Sequence, residues 1–95
     1  MSIGSFTISA DQLSYDSEFG VIKASGNVKL DLTGHLRLST PDTVEVKIDR
    51  TAQRADGAVY GRVSGEITAA DGSVHNVNTA APPQGRPALK FSDKF

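Results

Sequence analysis

The chain of 95 residues carries ten Lys and Arg against eleven Asp and Glu, which gives a formal net charge of −1 at pH 7, and 38% of its residues are hydrophobic. This length allows one domain with a thin core, and the balanced charge argues against a nucleic-acid partner. Because there is no cysteine and no apolar run of membrane-spanning length, neither thiol chemistry nor a membrane span is expected.

Apolar residues alternate with polar ones through most of the chain, a period-two pattern that predicts β-strands. Near the start, Phe6, Ile8 and Ala10 indicate a short strand. Leu13 and Tyr15 then continue the alternation with the opposite parity. This change of parity predicts a bend or bulge just after residue 10.

The clearest alternation runs from residue 21 to residue 32 and predicts one long strand. Its apolar face would hold Ile22, Ala24, Gly26, Val28, Leu30 and Leu32. A two-residue loop after this strand would pair apolar with polar side chains, whereas a three-residue loop at 33–35 pairs Leu32 with Leu36 and Leu30 with Leu38. The sequence therefore predicts the longer loop.

A second hairpin is predicted at Asp56-Gly57, a dipeptide typical of tight two-residue turns. A turn there would pair Val46 with Ile67 and keep both on an apolar face. The strand on its far side would run from residue 59 to residue 69, with glycines between Val and Ile residues.

The last predicted turn lies at Asp71-Gly72. The strand after it places Val74 and Val77 on opposite parities, so we expect it to be a sheet edge or to contain a bulge. Beyond residue 80 the chain has three of its four prolines and no period. We therefore expect an all-β domain over 1–80 and an extended or disordered tail over 81–95.

Two stretches of the chain are similar to each other at an offset of 39 residues, where Ser25-Gly26-Asn27-Val28 matches Ser64-Gly65-Glu66-Ile67. Each follows a more polar strand that begins near an aspartate, Asp11 or Asp42. The pattern predicts two hairpin-like units that must pack together to close a core.

The first unit resembles the OstA-like repeat of lipopolysaccharide-transport proteins, with the form A-D-x-x-x-Y-D followed by G-x-V-x-x-x-G-N-V-x-L. The matching residues are Ala10, Asp11, Tyr15, Asp16, Gly20, Ile22, Gly26, Asn27, Val28 and Leu30. The resemblance implies a twisted β-jellyroll whose inner groove takes the acyl chains of a glycolipid and whose edges join end to end. It also implies a periplasmic location if a leader has been removed; otherwise a cytoplasmic protein or part of a virion or other assembly is expected.

Together these patterns predict a single antiparallel all-β domain, a jellyroll or flattened barrel built from two hairpin-like units with an irregular C-terminal tail. The first function hypothesis is a non-enzymatic module that binds a lipid or glycolipid. Its groove would be lined by Ile22, Ala24, Val28, Leu30, Leu38, Val46, Ile48, Val63 and Ile67.

The second hypothesis is a structural protein, such as a phage or filament component, that forms homo-oligomers through its sheet edges and C-terminal tail. The expected contacts are Val74, Val77, Leu89, Phe91 and Phe95. The only histidines, His35 and His75, lie on or near predicted turns and match no metal-ligand spacing. Neither a catalytic site nor a metal or other cofactor is expected.

Overall fold

A computed structural model describes residues 1–80 and 86–94 of the chain as an all-β sandwich, which confirms the predicted fold class. Its strands form two antiparallel sheets that pack face to face. The first sheet has the order β1 (Ser2–Ile3), β2 (Phe6–Ser9), β5 (Val28–Leu32), β6 (Leu36–Thr40), β9 (Val63–Thr68) and β10 (Val74–Thr79). The second has the order β11 (Leu89–Lys94), β8 (Arg54–Tyr60), β7 (Thr43–Asp49), β4 (Val21–Ser25) and β3 (Gln12–Asp16).

The chain passes between the sheets at four two-residue crossings, which all lie along one side of the sandwich. They are residues 10–11, 26–27, 41–42 and 61–62. The Asp11 N–H donates to the Gly26 carbonyl at 2.8 Å, and the Gly26 N–H donates to the Asp42 carbonyl at 3.0 Å. We call this row of crossings the spine; the hairpin turns lie on the opposite side.

Two aspartates stabilise the spine by binding the next crossing along it. The Asp11 carboxylate accepts a hydrogen bond from Asn27 Nδ2 at 2.9 Å, and the Asp42 carboxylate accepts one from the Arg62 N–H at 2.9 Å. Gly61 lies against the Asp42 side chain with φ +152°. Because Gly26 and Gly61 both leave the second sheet at a crossing, they are structural counterparts; the sequence similarity had instead aligned Gly26 with Gly65.

A single core lies between the sheets and takes inward side chains from both of them. Its buried hydrophobic residues are Phe6, Ile8, Ile22, Ala24, Val28, Leu30, Leu32, Leu36, Leu38, Val44, Val46, Ile48, Ala55, Val59, Val63 and Phe91. Most of these side chains are aliphatic, as the composition predicts, and their burial provides the main driving force for folding.

The loop at 33–35 is confirmed, because Leu32 pairs with Leu36 and Leu30 pairs with Leu38. The long strand predicted over 21–32, however, is two strands in different sheets, β4 and β5. Gly26 and Asn27 both have positive φ and form the crossing that carries the chain from the second sheet to the first. The parity of the apolar face continues through the crossing because both sheets bury their inner faces in the same core.

The turn predicted at Asp56-Gly57 is wrong. Both residues lie inside β8, where Gly57 pairs with Val46, and the turn lies between β7 and β8 at residues 50–53. Asp49 Oδ1 accepts a hydrogen bond from the Ala52 N–H at 3.0 Å, a common way for aspartate to stabilise a turn. Ile67 pairs with Leu36 and with His75 rather than with Val46.

The turn predicted at Asp71-Gly72 is confirmed, and the strand after it, β10, is an edge of the first sheet as expected. Ser73 donates to Asp71 Oδ1 through its hydroxyl at 2.6 Å and through its backbone N–H at 2.9 Å. These two hydrogen bonds, led by the one from the hydroxyl, hold the pKa of the Asp71 carboxyl below its usual value.

Part of the predicted C-terminal tail is an ordered strand. Residues 89–94 form β11, which pairs with β8 along its whole length. Within it Leu89 and Phe91 alternate with polar residues and face inward. This short period-two pattern lets the segment bury one face against the core, which favours a strand. Phe95 and residues 81–85 lie outside the described part of the chain.

Candidate functional site

The residues predicted to line a lipid groove all lie in or against the core between the sheets. Eight of the nine are buried, and Ile67 is partly buried against the same cluster. Their side chains pack on one another, so the inner face of the sandwich is occupied by the protein itself. An acyl chain would have to displace this packing to enter.

The predicted oligomer contacts lie at one end of the sandwich, where β10 and β11 are the outermost strands of their sheets. Val74 is 55% exposed on the outer face of β10. Val77 and Leu89 are partly buried against the core. Phe91 belongs to the core of its own chain, and Phe95 lies outside the described residues.

Among the described residues, the backbone of β10 is paired on one side only, by β9. The Thr68 N–H donates to the His35 carbonyl at 2.7 Å, and the Ala69 N–H donates to the Ser73 carbonyl at 2.8 Å. Since antiparallel hydrogen bonds alternate along a strand, the even residues of β9 bond to β6 and its odd residues bond to β10.

It follows that alternate residues of β10 direct their backbone groups away from β9. They are Val74, Asn76 and Asn78. They lie opposite the even residues Thr68, Glu66 and Ser64 of β9 but form no backbone hydrogen bonds with them. Within residues 1–80 and 86–94, no further strand lies beyond β10 in the first sheet. We call the N–H and C=O groups of these three residues the β10 edge.

The other three outer strands have features that discourage pairing with another chain. β1 has only two residues, β3 contains Asp16, and β11 contains Lys90, Asp93 and Lys94. Short length and charged side chains are the usual protection of an edge strand. β10 has six residues and contains no Lys, Arg, Asp, Glu or Pro. It is the least protected outer strand among the described residues.

β11 is fixed to β8 by a close fit between one aromatic ring and one glycine. Phe91 pairs with Gly57, and a Cβ built on Gly57 would overlap the Phe91 ring. On the outer face, Arg54 Nη2 donates to Ser92 Oγ at 2.6 Å, and the Ser92 hydroxyl donates to Asp56. Any larger residue at position 57 would exclude the ring.

The two histidines belong to turns and edges, as the sequence indicates. His35 Nδ1, in the loop between β5 and β6, lies 3.7 Å from Asp93 Oδ1 of β11, so this contact joins the two sheets. His75 Nε2 lies 3.3 Å from Ser73 Oγ. In the part of the chain that the structure describes, no three His, Asp or Glu side chains come close enough to hold a metal ion.

Open depressions on the outer faces of the sheets offer little for recognition. One of about 470 Å³ lies over Ala58 on the second sheet and is bordered by Glu45, Lys47 and Lys90. Another of about 460 Å³ lies on the first sheet between Lys29, Arg37 and Glu66. Both have rims of mixed charge, and neither has a buried polar group that would orient a ligand.

No family model, curated protein or solved structure matches the chain. The resemblance to the OstA-like repeat therefore stays a prediction from the sequence. Within the described residues there is also no helix with the length and hydropathy needed to cross a membrane.

Two features at the end of the sandwich formed by β10 and β11 were missed in the sequence analysis. Gly57 was interpreted as a turn residue, although its role is to make room for Phe91. The backbone groups of Asn76 and Asn78, which no strand in the described part of the chain pairs with, were not identified either. The absence of charge from residues 74–79 is the signal that could have indicated them, because most exposed edge strands carry charge.

Proposed function

We propose that this chain is a non-enzymatic assembly module that joins copies of itself through the β10 edge. The observation that carries the proposal is the row of backbone groups at Val74, Asn76 and Asn78 that no strand within residues 1–80 and 86–94 pairs with, on a strand with no Lys, Arg, Asp, Glu or Pro. Such an edge is a template for pairing with another strand. The exposed Val74 side chain adds apolar surface beside it.

The partner that fits this edge best is the β10 edge of a second copy. The three free positions are centred on Asn76, so a twofold axis at that residue would pair Asn76 with Asn76 of the second copy and Val74 with Asn78 of the second copy. Antiparallel pairs of this kind exchange both N–H and C=O groups. Because the strand contains no Lys, Arg, Asp or Glu, like charges from these residues do not oppose the contact.

The packed inner face supports assembly over lipid carriage. In a carrier, the apolar wall would be free to contact acyl chains, whereas here the same side chains are buried against one another. Carriage of a glycolipid is implied by the family resemblance alone and would require the sheets to separate. Assembly through β10 requires no rearrangement of the core.

The proposal is tested with Asn76→Pro, measured by sedimentation velocity over a range of protein concentrations. Proline lacks an N–H, but the Asn76 N–H points away from β9, so the pairing within the chain stays intact. We expect the unsubstituted protein to shift to larger species as concentration rises and Asn76→Pro to stay monomeric.

The matched control is Asn76→Thr, which changes the same side chain but keeps the backbone N–H and suits a strand. It should associate like the unsubstituted protein. If Asn76→Pro associates as strongly as Asn76→Thr, the β10 edge does not join the copies.

A further inference from the structure

β11 is held to the rest of the chain by a set of contacts that its own sequence specifies. It pairs with β8, where Phe91 packs on Gly57 and Ser92 binds Arg54 and Asp56. Its Asp93 lies 3.7 Å from His35 in the loop of the first sheet. Any β11 strand with the same sequence, from the same copy or from another, would form this set of contacts.

The connection that leads to β11 is much longer than the others between the sheets. Each of the four crossings of the spine uses two residues, whereas residues 80–88, nine in all, separate β10 from β11. Nine residues can span up to about 30 Å. When two β10 edges pair antiparallel, the β11 position of the second copy begins about 20 Å away along the six-residue β10 strand and about 10 Å away across to the second sheet. The connection is long enough to cover this distance.

The start of this connection lies at the edge where we propose that two copies meet. β8 and β9 are joined by a two-residue crossing, β10 lies next to β9, and β11 lies next to β8. Pairing of two β10 edges would thus place the β8 strands of both copies near the contact between the copies.

We propose that β11 exchanges between the two copies joined at β10, so that Phe91 of each copy packs on Gly57 of the other. This inference rests on the proposed function, since the β10 contact supplies the neighbour. The exchange forms the same contacts that it breaks, which makes it a low-cost route to a dimer. The local concentration of the two copies then decides whether each β11 pairs with β8 of its own copy or with β8 of the other.

The test uses the absence of cysteine from the chain. Ala58 and Lys90 lie directly opposite each other on the outer face of β8 and β11, and opposite residues are close enough for a disulfide. Full-length Ala58→Cys and Lys90→Cys proteins are mixed at about 1 mM, near the effective concentration that a flexible link provides. After incubation the mixture is oxidised, and the products are separated by mass.

Exchange predicts a disulfide-linked dimer that contains one chain of each kind. The control mixture pairs Ala58→Cys with Ser14→Cys on the outer face of β3, at the far end of the second sheet, and it should give no mixed dimer above background. The double variant Ala58→Cys, Lys90→Cys, oxidised when dilute, should form an internal disulfide and confirm that the pair is close enough to bond.

Sedimentation of the oxidised double variant separates the two proposals. If it still associates and the mixed dimer forms in the first mixture, both stand. If copies associate but the mixed dimer is no more abundant than in the control, β11 does not exchange and the β10 contact stands alone. If the mixed dimer forms equally well with Asn76→Pro in both chains, exchange stands without the β10 contact. Monomers with no mixed dimer would overturn both.

Discussion

At the scale of single residues, two glycines of this protein make room for a side chain from a neighbouring strand or crossing. Gly57 accommodates the Phe91 ring, and Gly61 accommodates the Asp42 carboxylate. In both cases a Cβ would occupy the space of the neighbour. Each glycine and its neighbour therefore act as one unit, so substitutions within a unit should not be additive.

The first prediction concerns Gly57 and Phe91. Phe91→Ala should lower the free energy of unfolding by about 3 kcal/mol, because a buried ring is lost. Gly57→Val alone should also destabilise, since it expels the ring from its site on β8. In the Phe91→Ala background, however, the valine side chain introduced by Gly57→Val would fill part of the space left by the ring.

We therefore expect the two substitutions to be coupled by about 1–3 kcal/mol in a double-mutant cycle measured by urea unfolding. Free energies that simply add would show that Phe91 does not pack on Gly57.

At the scale of elements, the crossings of the spine connect the two sheets and so make a sandwich from strands whose apolar and polar residues alternate. The chain changes sheet at each crossing without changing which parity faces the core. The Asp11 and Asp42 carboxylates hold adjacent crossings together through Asn27 and the Arg62 N–H. The crossings are therefore local structures that set the relative position of the two sheets.

The second prediction compares alanine at two glycines with positive φ. Gly34 has φ +82° with open space around it, whereas Gly61 has φ +152° and lies against Asp42. Gly34→Ala should cost about 1 kcal/mol of stability from backbone strain alone. Gly61→Ala should cost about 2–4 kcal/mol, because a steric clash is added to the strain.

Thermal unfolding and denaturant unfolding of both variants, under the same conditions, measure this difference in stability. Equal losses at the two positions would show that close approach of Asp42 contributes nothing to the spine.

The hairpin at 33–35 could be predicted because only one loop length keeps leucines opposite leucines. The same test failed at Asp56-Gly57, where two registers both keep apolar residues together. In the structure Val46 pairs with Gly57, and in the predicted register it would pair with Ile67. The true turn at 50–53 contains no glycine, and Gln53 takes the positive φ there. Parity and turn propensity could not decide between these registers.

The division of residues 21–32 into two strands also could not be predicted from alternation. A sandwich buries the inner faces of both sheets in one core, so the hydrophobic pattern runs unchanged through Gly26. The edge role of β10 was predictable, because its parity breaks after Asp71. The close fit between Gly57 and Phe91 depends on contacts between distant parts of the chain, which alternation does not report.

At the scale of the whole molecule, the sandwich has a filled interior and, among the described strands, one unprotected outer strand. The side chains expected to line a groove, such as Val28 and Val46, are fully buried. The backbone groups available for a new contact lie instead along β10. This division leaves the end of the sheets as the surface for a new contact, which supports the proposal that two copies join at β10.

The measurement that tests this account most directly is native mass spectrometry of the full chain, with and without a glycolipid that carries several acyl chains, such as lipid A. It reports copy number and bound mass in the same spectrum. The account predicts a dimer, unchanged in mass when the glycolipid is added, that is lost in Asn76→Pro and kept in Asn76→Thr. A monomer that binds the glycolipid stoichiometrically would contradict the account and would favour lipid carriage between the sheets.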